Sequence, residues 1–220
     1  MKTKQLILVT GICMAAQASL GQKISWDSGE DLAFLKGQKE FAIEYDYTNV
    51  TVKGEKEVDY LNTRRAELNK DKAGDGDEFV EEWTKARQTK YQPHFEKEFN
   101  KRVRDSAIQV KPGSNAMYTL IIVTNDMQLG KGSAFGKKPA EVNFTLKFVE
   151  TANKDKVMAQ GQLKDVKGEV DAPRGSGFIP GAGGVMSMTA HVMNKEYSNR
   201  IAESYEKTGL VLAKYISKKL

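Results

Sequence analysis

The chain has 220 residues, of which 40% are hydrophobic and 29% are charged, and its formal net charge at pH 7 is +5. This length is sufficient for one good hydrophobic core or two small ones. Lysine and glutamate are interleaved along the chain, so the basic pI does not indicate a nucleic-acid-binding patch, and we expect no nucleic-acid partner.

The first 21 residues have the pattern of an export signal. Lys2 and Lys4 form a short basic head, and residues 6–18 are almost entirely apolar. A permanent membrane span needs about 20 apolar residues, and neither this run nor any other approaches that length. Small residues favour cleavage before Ser19 or before Gln22. We therefore expect a secreted or periplasmic protein that is soluble after signal cleavage.

Cys13 is the only cysteine, and it lies inside the predicted signal. After cleavage the chain would form no disulfide and would offer no thiolate to a substrate or a metal ion. The alternative is a lipoprotein, which is cleaved directly before a cysteine that then carries the lipid. Ile12 fits poorly at the position before that bond. The sequence therefore favours a protein without lipid, with residues 22–220 folded as a single domain.

Apolar and polar residues alternate in several segments, which is typical of half-buried strands. The predicted strands are 41–52, 107–110, 117–124, 142–148 and 157–166, with a turn at 153–155 before the last. Phe144, Leu146 and Phe148 share one face of their strand, so we expect all three to point into the core.

Helix-forming residues predominate between residues 55 and 104. The first helix is predicted over 55–70, and the loop that follows it offers Asp75 or Asp77 as a cap for the second. The second helix should end before Pro93, since proline disfavours a helical conformation in the residue before it. A third helix is predicted from there to about Val103.

Each predicted helix carries apolar residues along one side, which indicates the side that packs on the core. In the insert we interpret the large aromatic residues as helix core: Phe79, Trp83, Tyr91, Phe95 and Phe99. A C-terminal helix carries one stripe formed by Tyr197, Ile201, Tyr205, Leu212 and Ile216. We expect this stripe to cover the strand face that holds Phe144, Leu146 and Phe148.

The order strand, helices, strands, helix favours an α+β fold. We expect an antiparallel or mixed sheet of about four to five strands packed by helices, with a helical insert at 55–104 between the first and second strands. The pattern from residues 116–120 through 140–148 and 156–159 to the final helix resembles exported bacterial envelope proteins of unknown function. It is similar to the α/β domains of outer-membrane assembly and curli-secretion lipoproteins. The resemblance implies that the chain binds another envelope component.

No motif in the sequence identifies a catalytic or cofactor site. His94 and His191 have no second histidine nearby, and Ser176 lacks the glycine spacing of a nucleophile elbow. The glycines between Gly130 and Gly136 match neither nucleotide-binding fingerprint. We therefore interpret these residues as surface, capping or loop residues, and we expect no cofactor.

Residues 71–82 partly match a calcium-binding loop of the EF-hand type. Asp75, Gly76 and Glu82 fall at positions five, six and twelve of such a loop. Ala73 occupies position three, where a ligand is needed, and Glu78 occupies position eight, which is normally apolar. The sequence therefore predicts a helix–loop–helix turn without a bound metal.

The glycine-rich loop 174–184 offers the strongest sequence signal for a partner-binding site. Arg174, Phe178 and Ile179 would form a mobile tip that contacts a partner, although Phe178 could instead pack into the core. We expect a non-enzymatic protein that binds another envelope protein. The alternative is an exported hydrolase that acts on a glycan or peptide through paired carboxylates, because such pairs leave no spacing signature.

Overall fold

A computed structural model of the protein describes residues 22–103, 108–130, 138–168 and 190–220. The predicted export signal with Cys13, and the first residue of the predicted strand 107–110, lie outside the described residues. The described residues form one mixed sheet of eight strands together with a set of helices that pack on it.

Four of the strands are long or intermediate in length and four are short. In chain order they are β1 Ser25–Ser28, β2 Glu40–Asp46, β3 Thr51–Val52, β4 Glu55–Lys56, β5 Gln109–Val110, β6 Tyr118–Gln128, β7 Glu141–Glu150 and β8 Asn153–Lys167. A short 3-10 helix, Ala33–Leu35, lies between β1 and β2. The helices are α1 Glu57–Asp71, α2 Asp75–Ala86, a π-helical segment Arg87–Tyr91, α3 Gln92–Arg102 and α4 Ala190–Lys219.

The strand order in the sheet is β1–β8–β7–β6–β2–β5. Strands β6, β7, β8 and β1 pair antiparallel, whereas β2 runs parallel to both β6 and β5. β3 continues along β6 beyond the end of β2 and forms a hairpin with β4. The two turn residues of that hairpin, Lys53 and Gly54, both have positive φ angles, as a type I′ turn requires.

The α+β class and the mixed sheet are confirmed, but the expected four to five strands are too few. Strands β1, β3 and β4 contain only two to four residues, which is too short for an alternating pattern to be recognised. The predicted strand 41–52 is interrupted after Asp46 by a turn and becomes β2 and β3. The predicted turn at 153–155 is also wrong, because those residues already belong to β8.

Two expectations for the helical insert are corrected. Neither Asp75 nor Asp77 caps α2, because Gly74 occupies the N-cap position and Asn69 Oδ1 accepts hydrogen bonds from the Gly74 and Gly76 amides at 3.1 and 2.7 Å. Pro93 does not follow a helix end, because the chain stays helical from α2 through the π segment into α3. Proline is tolerated there since it occupies the first turn of α3, directly after the wider π turn.

The hydrophobic core lies between the helices and one face of the sheet. As predicted, Phe144, Leu146 and Phe148 are at most 1% exposed. The Phe144 ring packs edge-to-face on Tyr205 of α4, with ring centroids 4.8 Å apart. In the predicted stripe of α4, Ile201, Tyr205, Leu212 and Ile216 are fully buried, and Tyr197 is partly buried against them.

Close helix packing places the insert on α4. A Cβ atom at Gly209 would lie 2.6 Å from the carbonyl oxygen of Phe95, so only glycine allows α3 and α4 to approach this closely. Phe95 and Phe99 of α3 stack on each other, and Phe99 contacts Phe41 of β2. The insert therefore belongs to the same core as the sheet.

Candidate functional sites

Glu57, in the first turn of α1, connects the helices of the insert to one another through a hydrogen bond and a partly shielded ion pair. Its Oε1 accepts a hydrogen bond of 2.7 Å from Trp83 Nε1 of α2. Its Oε2 forms an ion pair with Arg87, the first residue of the π segment. The side chains of Glu57 and Arg87 are only 14% and 20% exposed, so their attraction is less screened than that of a surface pair.

Three tyrosines lie together beside this ion pair and connect the helices to the sheet. Tyr47 directly follows β2, Tyr91 ends the π segment, and Tyr205 lies on α4. The Arg87 guanidinium carbon is 4.3 Å from the centroid of the Tyr47 ring, which is a cation–π contact. The Tyr205 hydroxyl hydrogen-bonds to Thr124 Oγ1 of β6 at 2.5 Å. We call these residues, with Glu57 and Arg87, the tyrosine cluster.

Burial governs the acid–base behaviour of the tyrosine cluster. It raises the pKa of Tyr91 and Tyr205 well above the usual value for a phenol. Burial also raises the pKa of Tyr47, although the neighbouring Tyr205 and Gln92 side chains and the Arg87 charge oppose the shift. All three hydroxyls are therefore protonated at neutral pH and cannot serve as bases there.

A carboxyl group lies beside the cluster, on α3. Tyr45 donates a hydrogen bond to Glu96 Oε1 at 3.0 Å. Burial raises the pKa of Glu96, and the hydrogen bond from Tyr45 partly opposes that shift. A glycosidase-type pair needs two carboxyl groups facing each other. Glu96 contacts a phenol here, rather than a second carboxyl group.

The predicted calcium-like segment folds as a tight helix–turn–helix. α1 ends at Asp71 and α2 begins at Asp75, so only three residues separate the two helices. The Asp75 carboxylate pairs with Lys72 at 2.9 Å, and Asp77 lies 3.3 Å from Arg65. Among the residues that the structure describes, no group of three or more His, Cys, Asp or Glu side chains is placed to hold a metal ion.

The face of the sheet opposite the helices is open in the described part of the chain. Ile121 and Val123 of the central strand β6 point to this face and are partly exposed. Two further apolar side chains near this face are among the most exposed of those that the structure describes: Met117, just before β6, is 61% exposed and Val157 of β8 is 42% exposed. We call these four residues the apolar stripe.

Polar and charged side chains border the apolar stripe on both sides. The strand register places Glu44 of β2, Ile121 and Lys147 of β7 in one row, and Asp46, Val123 and Thr145 in the next. Farther along the sheet, Gln160 Nε2 donates a hydrogen bond of 3.1 Å to Asp27. The open face therefore has an apolar centre and a polar rim.

The carboxylate of Asp46 is held in its charged form at this rim. Hydrogen bonds from Thr48, including one of 2.8 Å from its amide, lower the pKa of Asp46, and the nearby Lys147 charge adds to that effect. Asp46 is therefore ionised at neutral pH, on the β2 side of Val123.

The hairpin between β7 and β8 folds over one end of the open face. Thr151, in the hairpin turn, hydrogen-bonds through its hydroxyl to Thr119 Oγ1 of β6 at 2.9 Å. Lys154 reaches past β6 to Glu44 of β2, with its Nζ 2.7 Å from the carboxylate. Val149 points to the same face and is nevertheless fully buried. Val149 and its neighbour Thr119 are buried, whereas Val157, opposite Val149 on β8, stays exposed and Ile121 and Val123 in the next rows are partly exposed.

The structure brings few of the sequence-predicted site residues together. Arg174, Phe178, Ile179 and Ser176, and the loop residues between Gly130 and Lys138, lie outside the described residues. His94 is exposed, with its Nδ1 2.8 Å from the carbonyl oxygen of Lys90. His191 lies in the first turn of α4, and its side chain is not among those described.

Sequence reasoning missed the Glu57–Arg87 pair and the open face. It placed Trp83 and Tyr91 in the helix core, which both residues confirm by being fully buried. Glu57 and Arg87 carried no signal, because charged residues are common throughout the insert. The charged positions Glu44, Asp46 and Lys147, each alternating with apolar neighbours, could have indicated that one sheet face meets water.

In comparisons with protein-family models, curated proteins and solved structures, no match to the chain was found. Of the helices in the described residues, none combines the length and apolar composition required to cross a membrane.

Proposed function

We propose that the chain is an exported, non-enzymatic protein that binds another protein of the cell envelope, and that the open sheet face is its binding surface. The observation that carries the proposal is the apolar stripe with its polar rim. Protein interfaces share this arrangement, in which an apolar centre is fully desolvated and the polar rim stays in contact with water. The export pattern of residues 1–21 supports an envelope location.

The position of the stripe also favours binding. Ile121 and Val123 project from the central strand of a rigid sheet, so their side chains need little ordering when a partner docks. Small ordering losses leave more of the burial free energy available for affinity. We still predict a second contact with the partner, through the loop residues Arg174, Phe178 and Ile179.

The hydrolase alternative has weaker support. Glu96 has the raised pKa expected of a general acid, but its neighbour is the Tyr45 hydroxyl rather than a second carboxyl group. The contacts of the tyrosine cluster join α1, α2, the π segment, α4 and β6, and this structural role accounts for the residues it contains. We therefore assign the cluster to the stability of the fold.

Site-specific photo-cross-linking in native cells tests the proposal. A photoreactive amino acid at position 123 should capture one envelope protein, identified by mass spectrometry, and the same probe at position 58 should not. Val58 is a matched control because it is an apolar residue that is 60% exposed, on α1. Binding of the purified partner should then be lost in Val123→Glu and retained in Val58→Glu.

Two results would overturn the proposal. One is equal cross-linking from positions 123 and 58, with purified partner binding both charged variants equally. The other is turnover of a glycan or peptide by the purified protein that disappears in Glu96→Gln, which would establish the hydrolase instead.

A further inference from the structure

We propose that the mature protein begins at Gln22 and that this glutamine cyclises to pyroglutamate, which blocks the start of the chain. The inference rests on the export that the proposed function includes, but it concerns a different part of the molecule from the open sheet face. It assigns a modification site to a residue that lies just before the strand β1 and contacts β8.

The sequence before Gln22 fits cleavage at the bond that precedes it. Ser19 and Gly21 are both small, and they occupy the third and the first position before that bond. Small residues at these two positions are what a signal-cleavage site requires. Cleavage there turns the peptide nitrogen of Gln22 into a free amine. Cleavage before Ser19 would instead leave a serine at the start, and serine cannot form this ring.

A glutamine with a free amine carries both reactants of the ring closure. A fraction of α-amino groups is unprotonated at neutral pH, and the nitrogen in that form attacks the side-chain amide carbon Cδ. A bond forms between this nitrogen and Cδ, and the bond between Cδ and Nε2 breaks. The departing nitrogen takes the proton that the amine gives up and leaves as ammonia, so the reaction needs no co-reactant. The product is a neutral five-membered lactam.

The structure leaves the Gln22 carboxamide free to react. Its side chain is partly exposed, and Nε2 donates an exposed hydrogen bond of 2.7 Å to the carbonyl oxygen of Lys164 on β8. A hydrogen bond in contact with water contributes little net free energy, because water replaces it when it opens. The carboxamide can therefore leave Lys164 and fold back onto the nitrogen of its own residue.

The ring would protect the edge strand β1 from exopeptidases. In the described part of the chain β1 lies at one end of the sheet and pairs with β8 alone. Its Trp26 packs on Tyr215 of α4, with ring centroids 5.1 Å apart. Only residues 22–24 lie between Gln22 and the end of this strand, so an aminopeptidase acting on a free terminus would soon reach it. The lactam offers such an enzyme no free amine.

Mass spectrometry of the protein, collected fresh from the cells that produce it, tests the inference. We expect the intact mass to equal that of residues 22–220 less one molecule of ammonia, and the N-terminal peptide to carry the loss at Gln22. The matched control is Gln22→Asn, which keeps the carboxamide but would need a strained four-membered ring. This variant should be cleaved at the same bond and should keep its ammonia. Circular dichroism should show both proteins folded.

An aminopeptidase tests the protective role of the ring. It should shorten Gln22→Asn and leave the wild-type chain intact, and pyroglutamyl peptidase should remove the block and make the wild-type chain equally sensitive. Equal resistance of the variant would show that the fold protects β1 without the ring, and would overturn this role.

The possible N-termini separate this inference from the proposed function. A mature chain that starts at Ser19, or at an unmodified Gln22, overturns the inference and leaves the proposed function standing. A ring that appears only during storage overturns it as well. A chain that keeps residues 1–21 in the cell contradicts both the inference and the export on which the proposed function depends.

Discussion

Tyr91 and Tyr205 stack with their ring centroids 5.2 Å apart and their planes only 16° from parallel, yet their hydroxyls are in different situations. The Tyr205 hydroxyl is bonded to Thr124, whereas the Tyr91 hydroxyl is buried without a hydrogen-bond partner among the described residues. The contribution of a buried hydrogen bond to stability can therefore be measured at Tyr205, with the Tyr91 hydroxyl of the same ring stack as the matched group without such a bond.

We expect opposite responses when each hydroxyl is removed. Tyr91→Phe removes a buried polar atom that has no partner, so the free energy of unfolding should stay the same or rise by up to ~1 kcal/mol. Tyr205→Phe removes a hydrogen bond and leaves the Thr124 hydroxyl without its partner, so the free energy of unfolding should fall by about 1–2 kcal/mol. Urea unfolding of both variants measures the difference. Equal destabilisation would mean that Tyr91 has a partner.

The partly shielded ion pair should contribute more to stability than a surface pair. Glu57→Ala leaves Arg87 and the Trp83 indole without their acceptor, and we expect a loss of about 2–4 kcal/mol. The control is Glu67→Ala, which breaks the Arg64–Glu67 pair, in which the Glu67 side chain is 54% exposed. That change should alter stability by less than ~1 kcal/mol. Similar losses in the two variants would show that water screens the Glu57–Arg87 pair as well.

Alkaline titration should separate the tyrosines into classes. A phenol whose pKa is raised in the folded state stabilises the fold below pH 10, and this stabilisation is lost as pH rises above the ordinary phenol pKa. Burial raises the pKa of Tyr60 to about 12. Burial also raises the pKa of Tyr45, Tyr91 and Tyr205.

Absorbance at the phenolate band should therefore show part of the eight tyrosines ionising in the ordinary range and the rest ionising only as the chain unfolds. Circular dichroism recorded in parallel should lose its folded signal together with the second group. Smooth ionisation of all eight tyrosines with the fold intact would place the tyrosine cluster in contact with water.

Leu146 tests the core beneath the helices, because it is fully buried at the middle of β7. Leu146→Ala should destabilise the fold by about 2–5 kcal/mol through lost burial and the cavity left behind. The control is Val58→Ala on α1, which should change stability by less than ~0.5 kcal/mol, since Val58 is 60% exposed. A loss below ~0.5 kcal/mol in Leu146→Ala would contradict the packing of α4 over β7.

Strict alternation made the strand β7 predictable. Val142, Phe144, Leu146 and Phe148 all face the core, because a polar residue separates each from the next. The same rule could not identify β1, where Trp26 is the single apolar residue in a four-residue strand. That strand exists because Trp26 lies over Gly161 of β8 and contacts Tyr215 of α4, which are contacts between distant parts of the chain.

The candidate sites were less predictable than the fold. The segment 117–124 is apolar on both sides, which predicts a central strand, and β6 confirms it. Because both sides of this segment are apolar, the sequence does not show that Ile121 and Val123 lie on the open face. The π segment was missed because residues Arg87–Tyr91 have ordinary helix-forming composition, and its register depends on packing against α4.

The parallel pairing of β2 with β6 has a consequence for the order of folding. β6, β7 and β8 are consecutive in the chain, whereas residues 42–46 meet 119–123 only after the whole helical insert has been spanned. Because closing a long loop is entropically unfavourable, distant pairings form late. We expect the three-stranded meander to form early and β2 to dock last, so that the rate of the final folding step should depend on how readily the insert becomes helical.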